Sequence, residues 1–282
     1  MPYKIITHNG KAHMDELLAS ALLSLYLEEE PESIERMDSQ DAANMAREEN
    51  LPDDTYFIDC GMVYDGRRKL YDHHQDRELD SAALLLFNEL FPRLIGTDLH
   101  NFIMLVSRVD TKGAMSLNDF NLIGESRDYL SFSHKILLRT FEKDPILILK
   151  IFTAGLEDKI KFETDRAKAV LWLKETGHVE IIKIEKLNIL NYLIKPPSAL
   201  VSPLRSAITE VVEESNISAI LSFDDKQPGV QTFYRTDSGH ELVDFSRCRP
   251  SETIFNHQGG FLMKFIPEDG DEWIKLIQQA VL

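Results

Sequence analysis

Hydrophobic residues in the first third of the chain form short apolar runs that alternate with stretches of helical spacing. Residues 3–7 form an apolar run typical of a buried strand, and apolar positions at helical spacing over 14–25 predict the first helix. Similar patterns predict strands at 34–37, 55–59 and 69–72, and helices at 40–49, 81–91 and 98–109. This alternation predicts an α/β domain built on a doubly wound, mostly parallel sheet.

A different pattern follows a long helical stretch over residues 145–177, which Gly177 is predicted to end. The remaining residues predict a smaller α+β domain, and the boundary is placed near residue 175. The two predicted domains are residues 1–174, including the long helix, and residues 175–282. The polar stretch 115–126 is predicted to be a surface loop. Strands are predicted at 179–184, 187–194, 217–223, 230–234 and 261–266, and helices near 204–214 and from Asp271.

The charge balance limits the partners that the chain can bind. With 31 basic and 47 acidic residues, its formal net charge is −16, so most of its surface should repel a long nucleic-acid duplex. Short anionic substrates remain possible where bound divalent cations neutralise the charge locally. The two cysteines are far apart, which favours a reducing compartment over a disulfide framework. No signal-peptide pattern and no apolar run of ~18 residues is present, so we expect a cytoplasmic protein without a membrane span.

Histidine and aspartate residues fall where the predicted elements begin or end. Because ligands bind beyond the carboxyl ends of strands in open parallel sheets, we expect these side chains to converge at one edge. His8 follows the first strand, His13 and Asp15 open the first helix, Asp59 ends the 55–59 run, Asp72, His73 and His74 end the next, and Asp110 ends the apolar segment 102–109.

A mixed set of imidazoles and carboxylates is what two-metal phosphoryl chemistry requires, with one carboxylate shared by both ions. Individual residues also have structural interpretations: Asp15 is as well explained by a helix cap, and Asp59 can start a turn. The adjacent His73 and His74 are harder to explain, since burying two imidazoles requires partners. Taken jointly, the set favours a metal site, and its ligand types suit Mn²⁺, Fe²⁺ or Zn²⁺ better than Ca²⁺.

The order of these motifs resembles the DHH phosphoesterase superfamily, and two segments are most similar to its Myg branch. That branch is described as metal-dependent hydrolases, with 3′→5′ RNA exonuclease activity in eukaryotic members. The similarity extends over residues 5–112 and returns weakly at the branch's closing motif, Phe255-x-His257-x-x-Gly260-Phe261. The two segments are Thr7-His8-Asn9-Gly10 with His13-Met14-Asp15-Glu16, and Tyr64-Asp65-x-Arg67-Arg68 with Tyr71-Asp72-His73-His74-Gln75.

The resemblance implies two bound divalent ions, with Mn²⁺ preferred and Mg²⁺, Fe²⁺ or Zn²⁺ as alternatives. Asp59 would bridge them and, with Asp72 and His74, would form the catalytic set. Asp72 would orient a neighbouring imidazole, and His74 would face substrate phosphate or join the ligands. The metal ligands implied are His8, His13, Asp15, Asp59, His73 and Asp110.

Five further residues are candidates for binding substrate phosphate. Arg67 and Arg68 are equally well interpreted as solvated hairpin charges. In the second domain, His257, Gly259 and Gly260 would offer an imidazole and backbone N–H groups, with a turn into the last strand as the alternative.

The predicted function is hydrolysis of phosphoester bonds in short oligonucleotides or RNA by a metal-bridging hydroxide, in the manner of a 3′→5′ exonuclease. Alternatives are a pyrophosphatase or cyclic-(di)nucleotide phosphodiesterase on the same scaffold, or a non-catalytic module that holds metal. The oligomeric state is left open. No GxSxG, Walker A or GxGxxG motif is present. Cys60 is predicted to serve packing, and His100, His134 and His178 to lie at the surface or at helix ends.

Overall fold

The computed structural model describes residues 2–113, 135–212, 216–224, 226–249, 253–267 and 272–282. The chain divides into two compact units, Met1–Glu163 and Thr164–Leu282. This division falls inside the helix Pro145–Lys174, which the sequence prediction assigns entirely to the first domain. The predicted loop at 115–126 and His134 lie outside the described residues. Within the described part of the chain, no helix combines the length and the apolar character needed to cross a membrane.

The N-terminal unit contains a five-stranded sheet in the order β2-β1-β3-β5-β4, in which every pairing is parallel except that of β4 with β5. This confirms the predicted α/β class and the largely parallel sheet. The elements are β1 Lys4–His8, α1 Met14–Leu27, β2 Ser33–Met37, α2 Ser39–Ala46, β3 Thr55–Ile58, β4 Tyr64–Asp65, β5 Leu70–Tyr71, α3 Ala82–Leu90, α4 Asp98–Lys112 and α5 Pro145–Lys174.

Both faces of this sheet are covered, which explains why its strands are apolar runs rather than alternating patterns. Ile5 and Ile58 pack into a core with apolar residues of α1, α3 and α4. Their neighbours Ile6 and Phe57 pack on the other face with the alanines of α2. Since successive strand residues point to opposite faces, one sheet supports two helical layers and the fold is doubly wound.

Helix α4 is longer than the sequence predicts. It continues to Lys112 and ends at Gly113, which has φ +82°. Asp110 therefore lies within the last turn of a helix instead of following its end. Its carboxylate comes from a helix, whereas Asp59 and the Asp72–His74 segment follow strands.

The C-terminal unit is a smaller α+β structure, as predicted. Its six strands have the order β10-β11-β9-β8-β7-β6, and only β7 and β8 pair in parallel. The connection between β7 and β8 contains α6, as parallel neighbours require a crossover. The elements are β6 Val179–Ile184, β7 Leu187–Tyr192, α6 Val201–Val212, β8 Ala219–Phe223, β9 Gln231–Arg235, β10 Phe255–Asn256, β11 Leu262–Phe265 and α7 Glu272–Ala280.

Candidate metal centre

Asp59 occupies a strained position directly after β3. Its φ is +55°, a left-handed conformation that costs a non-glycine residue about 1 kcal/mol or more. The backbone N–H of Asp59 donates to the carbonyl of Tyr71 on β5 at 2.8 Å, and Gly61, with φ +102°, continues the turn. The side chain is buried, with 1% of its surface exposed. The fold therefore holds a carboxylate at the carboxyl edge of the sheet in a left-handed backbone conformation.

Three imidazoles surround the Asp59 carboxylate without bonding to it well. His8 Nε2 lies 3.4 Å from Oδ2, and His73 Nε2 lies 3.3 Å from Oδ1. His74 Nδ1 is more distant, at 3.7 Å from Oδ1. Among the described residues, both Asp59 oxygens and the Nε2 atoms of His8 and His73 lack a hydrogen-bond partner, although all four atoms are buried. Leaving such groups unpaired is costly unless a ligand satisfies them.

Three groups of side chains bring ligand atoms within 4.8 Å of one another, and Asp59 belongs to all three. One carboxylate common to neighbouring sites is what a pair of bridged cations requires. The buried, unpaired oxygens and nitrogens and the mixed donor set therefore fit divalent metal ions. The groups are Asp59, Asp72, His73 and His74; His8, His13 and Asp59; and Asp15, Asp59, His73 and Asp110.

Asp15 uses its two oxygens differently. Its Oδ1 accepts the hydroxyl proton of Ser81 and, at 3.0 Å, the backbone N–H of Ala83 in the first turn of α3. Its Oδ2 is buried with no partner in the described part of the chain. Asp15 is thus both a helix cap and a candidate ligand. The helix that it caps is α3 rather than its own, where His13 is the N-cap residue.

Asp110 links the remaining predicted ligands. Its Oδ2 lies 3.0 Å from His73 Nε2, and its Oδ1 lies 3.4 Å from Nδ1 of His13, a half-exposed residue. The structure therefore brings together all six residues implied as metal ligands. His13 precedes α1 and Asp59 and His73 follow strands, as the sequence pattern indicates, while His8 is the last residue of β1. Asp15 and Asp110 reach the cluster from within helices.

Asp72 is fully used in holding the segment after β5. Its Oδ2 accepts the backbone N–H of Met62 at 2.6 Å. Its Oδ1 accepts the backbone N–H groups of His73 and His74 at 2.7 and 3.1 Å, and lies 2.7 Å from Nδ1 of the His74 ring. Because Nδ1 of His74 is engaged by Asp72, the opposite edge of this half-exposed ring remains available. Asp72 thus has the contacts of a residue that orients an imidazole.

Glu16 was given no role from the sequence, yet it lies beside the ligands with none of its surface exposed. It accepts hydrogen bonds from Thr7 Oγ1 at 2.5 Å, Arg36 Nη1 at 2.9 Å and the backbone N–H of His13 at 3.1 Å. Its Oε2 lies 3.4 Å from His8 Nε2. Its place at the third position of α1 predicts the bond to His13 through a capping box. The ion pair with Arg36 depends on strand pairing and has no local sequence signal.

The charges of the cluster shift one another's proton affinities. Burial alone would lower the pKa of His8, but the nearby carboxylates of Asp59 and Glu16 raise it to about 9. Burial would also lower the pKa of His73, but the carboxylates of Asp110 and Asp59 have the larger effect and raise it to about 10. Burial raises the pKa of Asp59, but His73 and His8 outweigh it and lower that pKa to about 2. Without metal, protons on imidazoles therefore balance the carboxylates, and bound cations would replace those protons.

Burial, together with the charges of Asp59 and Asp110, raises the pKa of Asp15 well above its usual value. Asp15 is the carboxylate with the least cationic support in the cluster. A metal ion at its free Oδ2 would favour the ionised form, as an adjacent cation does for any carboxylate.

The two predicted phosphate-binding arginines have different surroundings. Arg68 Nη2 donates to the carbonyl oxygens of Ala46 and Glu48, at 2.9 and 2.6 Å, so it fastens the end of α2. Arg67 lies in the short turn Gly66–Arg68, where its backbone N–H donates to Asp65.

His257, Gly259 and Gly260 form the turn between β10 and β11 in the C-terminal unit. The N–H of Gly259 donates to His257 Nδ1 at 3.0 Å, and the N–H of Gly260 donates to the His257 carbonyl at 2.8 Å. Gly260 has φ +64°, and a Cβ there would lie 1.9 Å from Asp244 Oδ1. These backbone donors are used within the turn, and its glycine is required by close packing, which fits the alternative of a turn into the last strand.

Other candidate residues have structural contacts. Cys60 is buried, its thiol donates to the Ile6 carbonyl at 3.3 Å, and burial with the charges of Asp72 and Asp59 raises its pKa well above the usual value. A thiolate nucleophile is therefore disfavoured. His100 Nδ1 accepts the N–H of Gly96 at 3.1 Å, and His178 Nδ1 lies 3.0 Å from the Trp172 carbonyl. These two histidines complete helix ends.

Comparison with known proteins places the similarity in the N-terminal unit. The MYG1-exonuclease family model, described as Uncharacterised protein family (UPF0160), matches residues 4–83. The chain is also similar to a MYG1 exonuclease. The human protein of that name is 43% identical over 115 residues, which cover 34% of this chain and 28% of the human protein. The matched family segment contains the candidate ligands from His8 to His73, while Asp110 lies beyond it.

Proposed function

We propose that the chain is a divalent-metal-dependent phosphoester hydrolase that removes nucleotides from short RNA in the 3′→5′ direction. The observation that carries the proposal is Asp59, whose two buried and unpaired carboxylate oxygens are shared by three groups of ligand atoms. The similarity to a human protein named an exonuclease supports the choice of nucleic acid as substrate.

Six side chains would hold two ions, with Asp59 common to both. The imidazole and carboxylate donors suit Mn²⁺ best, with Mg²⁺, Fe²⁺ and Zn²⁺ as alternatives. When bound, such ions lower the pKa of coordinated water and neutralise charge on phosphoryl oxygens. The holding residues are His8, His13, Asp15, Asp59, His73 and Asp110.

His74 is the side chain best placed to meet substrate. Its ring is half exposed, and its Nδ1 is fixed by Asp72 at 2.7 Å. The hydrogen bond and charge of Asp72 raise the pKa of His74 and so favour its imidazolium form. In that form, the fixed imidazole can donate from Nε2 to a phosphoryl oxygen where negative charge develops. Asp72 acts through His74 as a positioning residue.

The net charge of the chain favours a short single-stranded substrate. At a formal net charge of −16, most of the surface repels polyanions, so attraction depends on the metal centre and on local cationic groups. A short single strand places few phosphates against the repelling surface. A long duplex places many there and requires a broad basic surface that this composition does not favour.

The proposal is tested with the full chain loaded with Mn²⁺ and given RNA of about ten nucleotides labelled at the 5′ end. We expect a ladder of products shortened stepwise from the 3′ end, abolished by chelation and by Asp59→Asn. Asp53→Asn removes the same charge from an exposed residue outside the cluster and should leave the ladder unchanged. DNA, pyrophosphate and a cyclic dinucleotide are assayed in parallel. Turnover of pyrophosphate or the cyclic dinucleotide without RNA cleavage would overturn the choice of RNA as substrate. If none of the four substrates is hydrolysed, the proposal that the chain is a phosphoester hydrolase is wrong.

A further inference from the structure

A pocket in the C-terminal unit, here called the basic pocket, carries a concentration of positive charge in an acidic chain. It has a volume of about 280 Å³, and three cationic side chains line it with one carboxylate: Arg205, Lys226, Lys264 and Asp224. The volume is near the lower limit of roughly 300 Å³ for small-molecule sites, which suits a single small ligand rather than a polymer. This local excess of cations is opposite in sign to the net charge of −16.

Asp224 is committed to organising the pocket. Its Oδ1 accepts the backbone N–H groups of Lys226 and Gln227, each at 2.9 Å, and its Oδ2 lies 2.5 Å from Lys264 Nζ. Asp224 is the only carboxylate among the described lining residues, and one lysine balances it. That carboxylate also fixes the turn that carries Lys226.

Two cations remain available to an anion. Among the described residues, no carboxylate pairs with Arg205 or with the Lys226 side chain, and both residues are exposed. The Arg205 guanidinium lies 4.7 Å from the centre of the Tyr234 ring, a cation–π contact that limits its motion while leaving its N–H groups free to donate. A guanidinium fixed in this way is a favourable partner for phosphate oxygens.

The other walls of the basic pocket suit a flat, partly apolar group. Tyr192, Leu204 and Ile220 are apolar or aromatic and buried. Ser222 contributes a hydroxyl group, while the hydroxyl of Thr232 donates to Asp224. Aromatic and guanidinium planes stack on nucleobases, and hydroxyl groups bond to base edges and sugars. Cations, hydroxyls and an apolar wall together match phosphate, sugar and base.

We infer that the basic pocket binds one nucleoside monophosphate unit, with Arg205 and Lys226 contacting its phosphate. The inference deepens the proposed function, since it gives the hydrolase a subsite for a nucleotide of its substrate or product. It does not depend on the metal centre for its geometry. It also differs from the turn at His257–Gly260, whose backbone donors are already bonded.

The test measures binding by calorimetry, with AMP titrated into the full chain, once loaded with Mn²⁺ and once after chelation. We expect AMP to bind in both states and adenosine to bind far more weakly. The double variant Arg205→Gln/Lys226→Gln should weaken AMP binding by about tenfold or more, since hydrogen bonds to charged groups contribute strongly. Inorganic phosphate should bind more weakly than AMP but respond to the same variant.

A matched variant, Lys183→Gln/Lys275→Gln, removes two exposed cations of the same unit that do not line the pocket. It should bind AMP as the unmodified chain does. Lys264 and Asp224 are left intact because their ion pair, together with the hydrogen bonds of Asp224 to the turn, supports the fold. Equal melting temperatures verify that the variants are folded.

AMP binding that survives in the Arg205/Lys226 variant, or that falls equally in the matched variant, overturns the inference. Equal binding of adenosine also overturns it. AMP binding only in the metal-loaded state would assign the nucleotide to the metal centre and not to this pocket. If the unmodified chain does not hydrolyse RNA, but binds AMP and loses that binding in the Arg205/Lys226 variant, the proposed function is wrong and the inference about the basic pocket stands.

Discussion

Arg36 Nη1 donates a 2.9 Å hydrogen bond to Glu16 Oε1, a carboxylate with none of its surface exposed. The pair joins β2 to the first turn of α1, and the other oxygen of Glu16 lies 3.4 Å from Nε2 of His8. An arginine outside the ligand set therefore controls the charge next to a candidate ligand. The first prediction concerns this pair.

Arg36→Leu should destabilise the protein by about 3 kcal/mol, because it removes one partner of a buried ion pair and leaves Glu16 with only Thr7, His13 and His8. Denaturant unfolding of the metal-free protein measures the loss. Arg47→Leu, at an exposed position after α2, is the control and should change stability by less than about 0.5 kcal/mol. Equal effects of the two substitutions would show that the Glu16 pair has no special role.

Asp59→Asn should abolish turnover and weaken the binding of both metal ions. The amide lacks the charge needed to bridge two cations, whereas asparagine tolerates φ +55° at least as well as aspartate. The substitution thus removes charge without adding backbone strain. Elemental analysis after Mn²⁺ dialysis and steady-state kinetics measure the result. A variant that keeps two metal equivalents and normal turnover would refute the bridging role.

His74→Ala should behave differently, because His74 is held by Asp72 and is proposed to face substrate. We expect near-normal metal content with kcat reduced by roughly 10²–10³, the scale for removing one electrostatic donor to the transition state. His100→Ala, which removes a helix-end imidazole, is the control. Loss of metal from His74→Ala would instead make His74 a ligand.

Metal binding should stabilise the N-terminal unit. We expect close to two transition-metal equivalents per chain and stabilisation of about 2.7 kcal/mol for each occupied site when free metal is a hundredfold above Kd. Thermal unfolding with and without chelator measures this shift, with Asp59→Asn as the comparison. If the protein takes up no metal from Mn²⁺, the proposed function is wrong.

The Asp224–Lys264 pair should make the stability of the C-terminal unit depend on acid. Burial raises the pKa of Asp224, but hydrogen bonding to Lys264 outweighs this effect and lowers the pKa below its usual value. The folded state therefore binds a proton less readily than the unfolded state. The stabilisation is present above about pH 4, near the unfolded pKa, and is lost as pH falls through the lower folded pKa.

Both tryptophans, Trp172 and Trp273, lie in the C-terminal unit, so their fluorescence can follow its unfolding. Asp224→Asn should flatten the acid dependence between about pH 5 and pH 2. Asp237→Asn, at an exposed position of the same unit, should not. An unchanged slope in Asp224→Asn would show that the ion pair does not cause the dependence.

The alternation of apolar runs was sufficient to predict the parallel sheet, because strands buried on both faces leave a direct trace in sequence. The convergence of His8, Asp59 and His73 followed from their places at the ends of such strands. The pattern did not reveal that Asp110 lies inside α4, since a polar residue at a helix edge resembles a stop signal. The end of that helix is set by Gly113.

Tertiary pairing accounts for what sequence reasoning missed. The burial of Glu16 depends on Arg36, twenty residues away on a neighbouring strand. The basic pocket collects Arg205 from a helix, Lys226 from a turn and Lys264 from a strand, with no common spacing. Conversely, the glycines at 259 and 260 have the composition of a phosphate loop, but their N–H groups are bonded to His257. Local composition does not specify which donors remain free.

The double use of Asp15 predicts an order of events during maturation of the protein. Its Oδ1 is fixed by Ser81 and the first turn of α3 through hydrogen bonds that use only protein atoms. We therefore expect Oδ2 to be in place before an ion arrives. Metal acquisition should then be capture by a preformed receptor, with an uptake rate proportional to metal concentration and no slow folding phase. A newly made chain can thus fold first and select its metal from whatever the surrounding pool supplies.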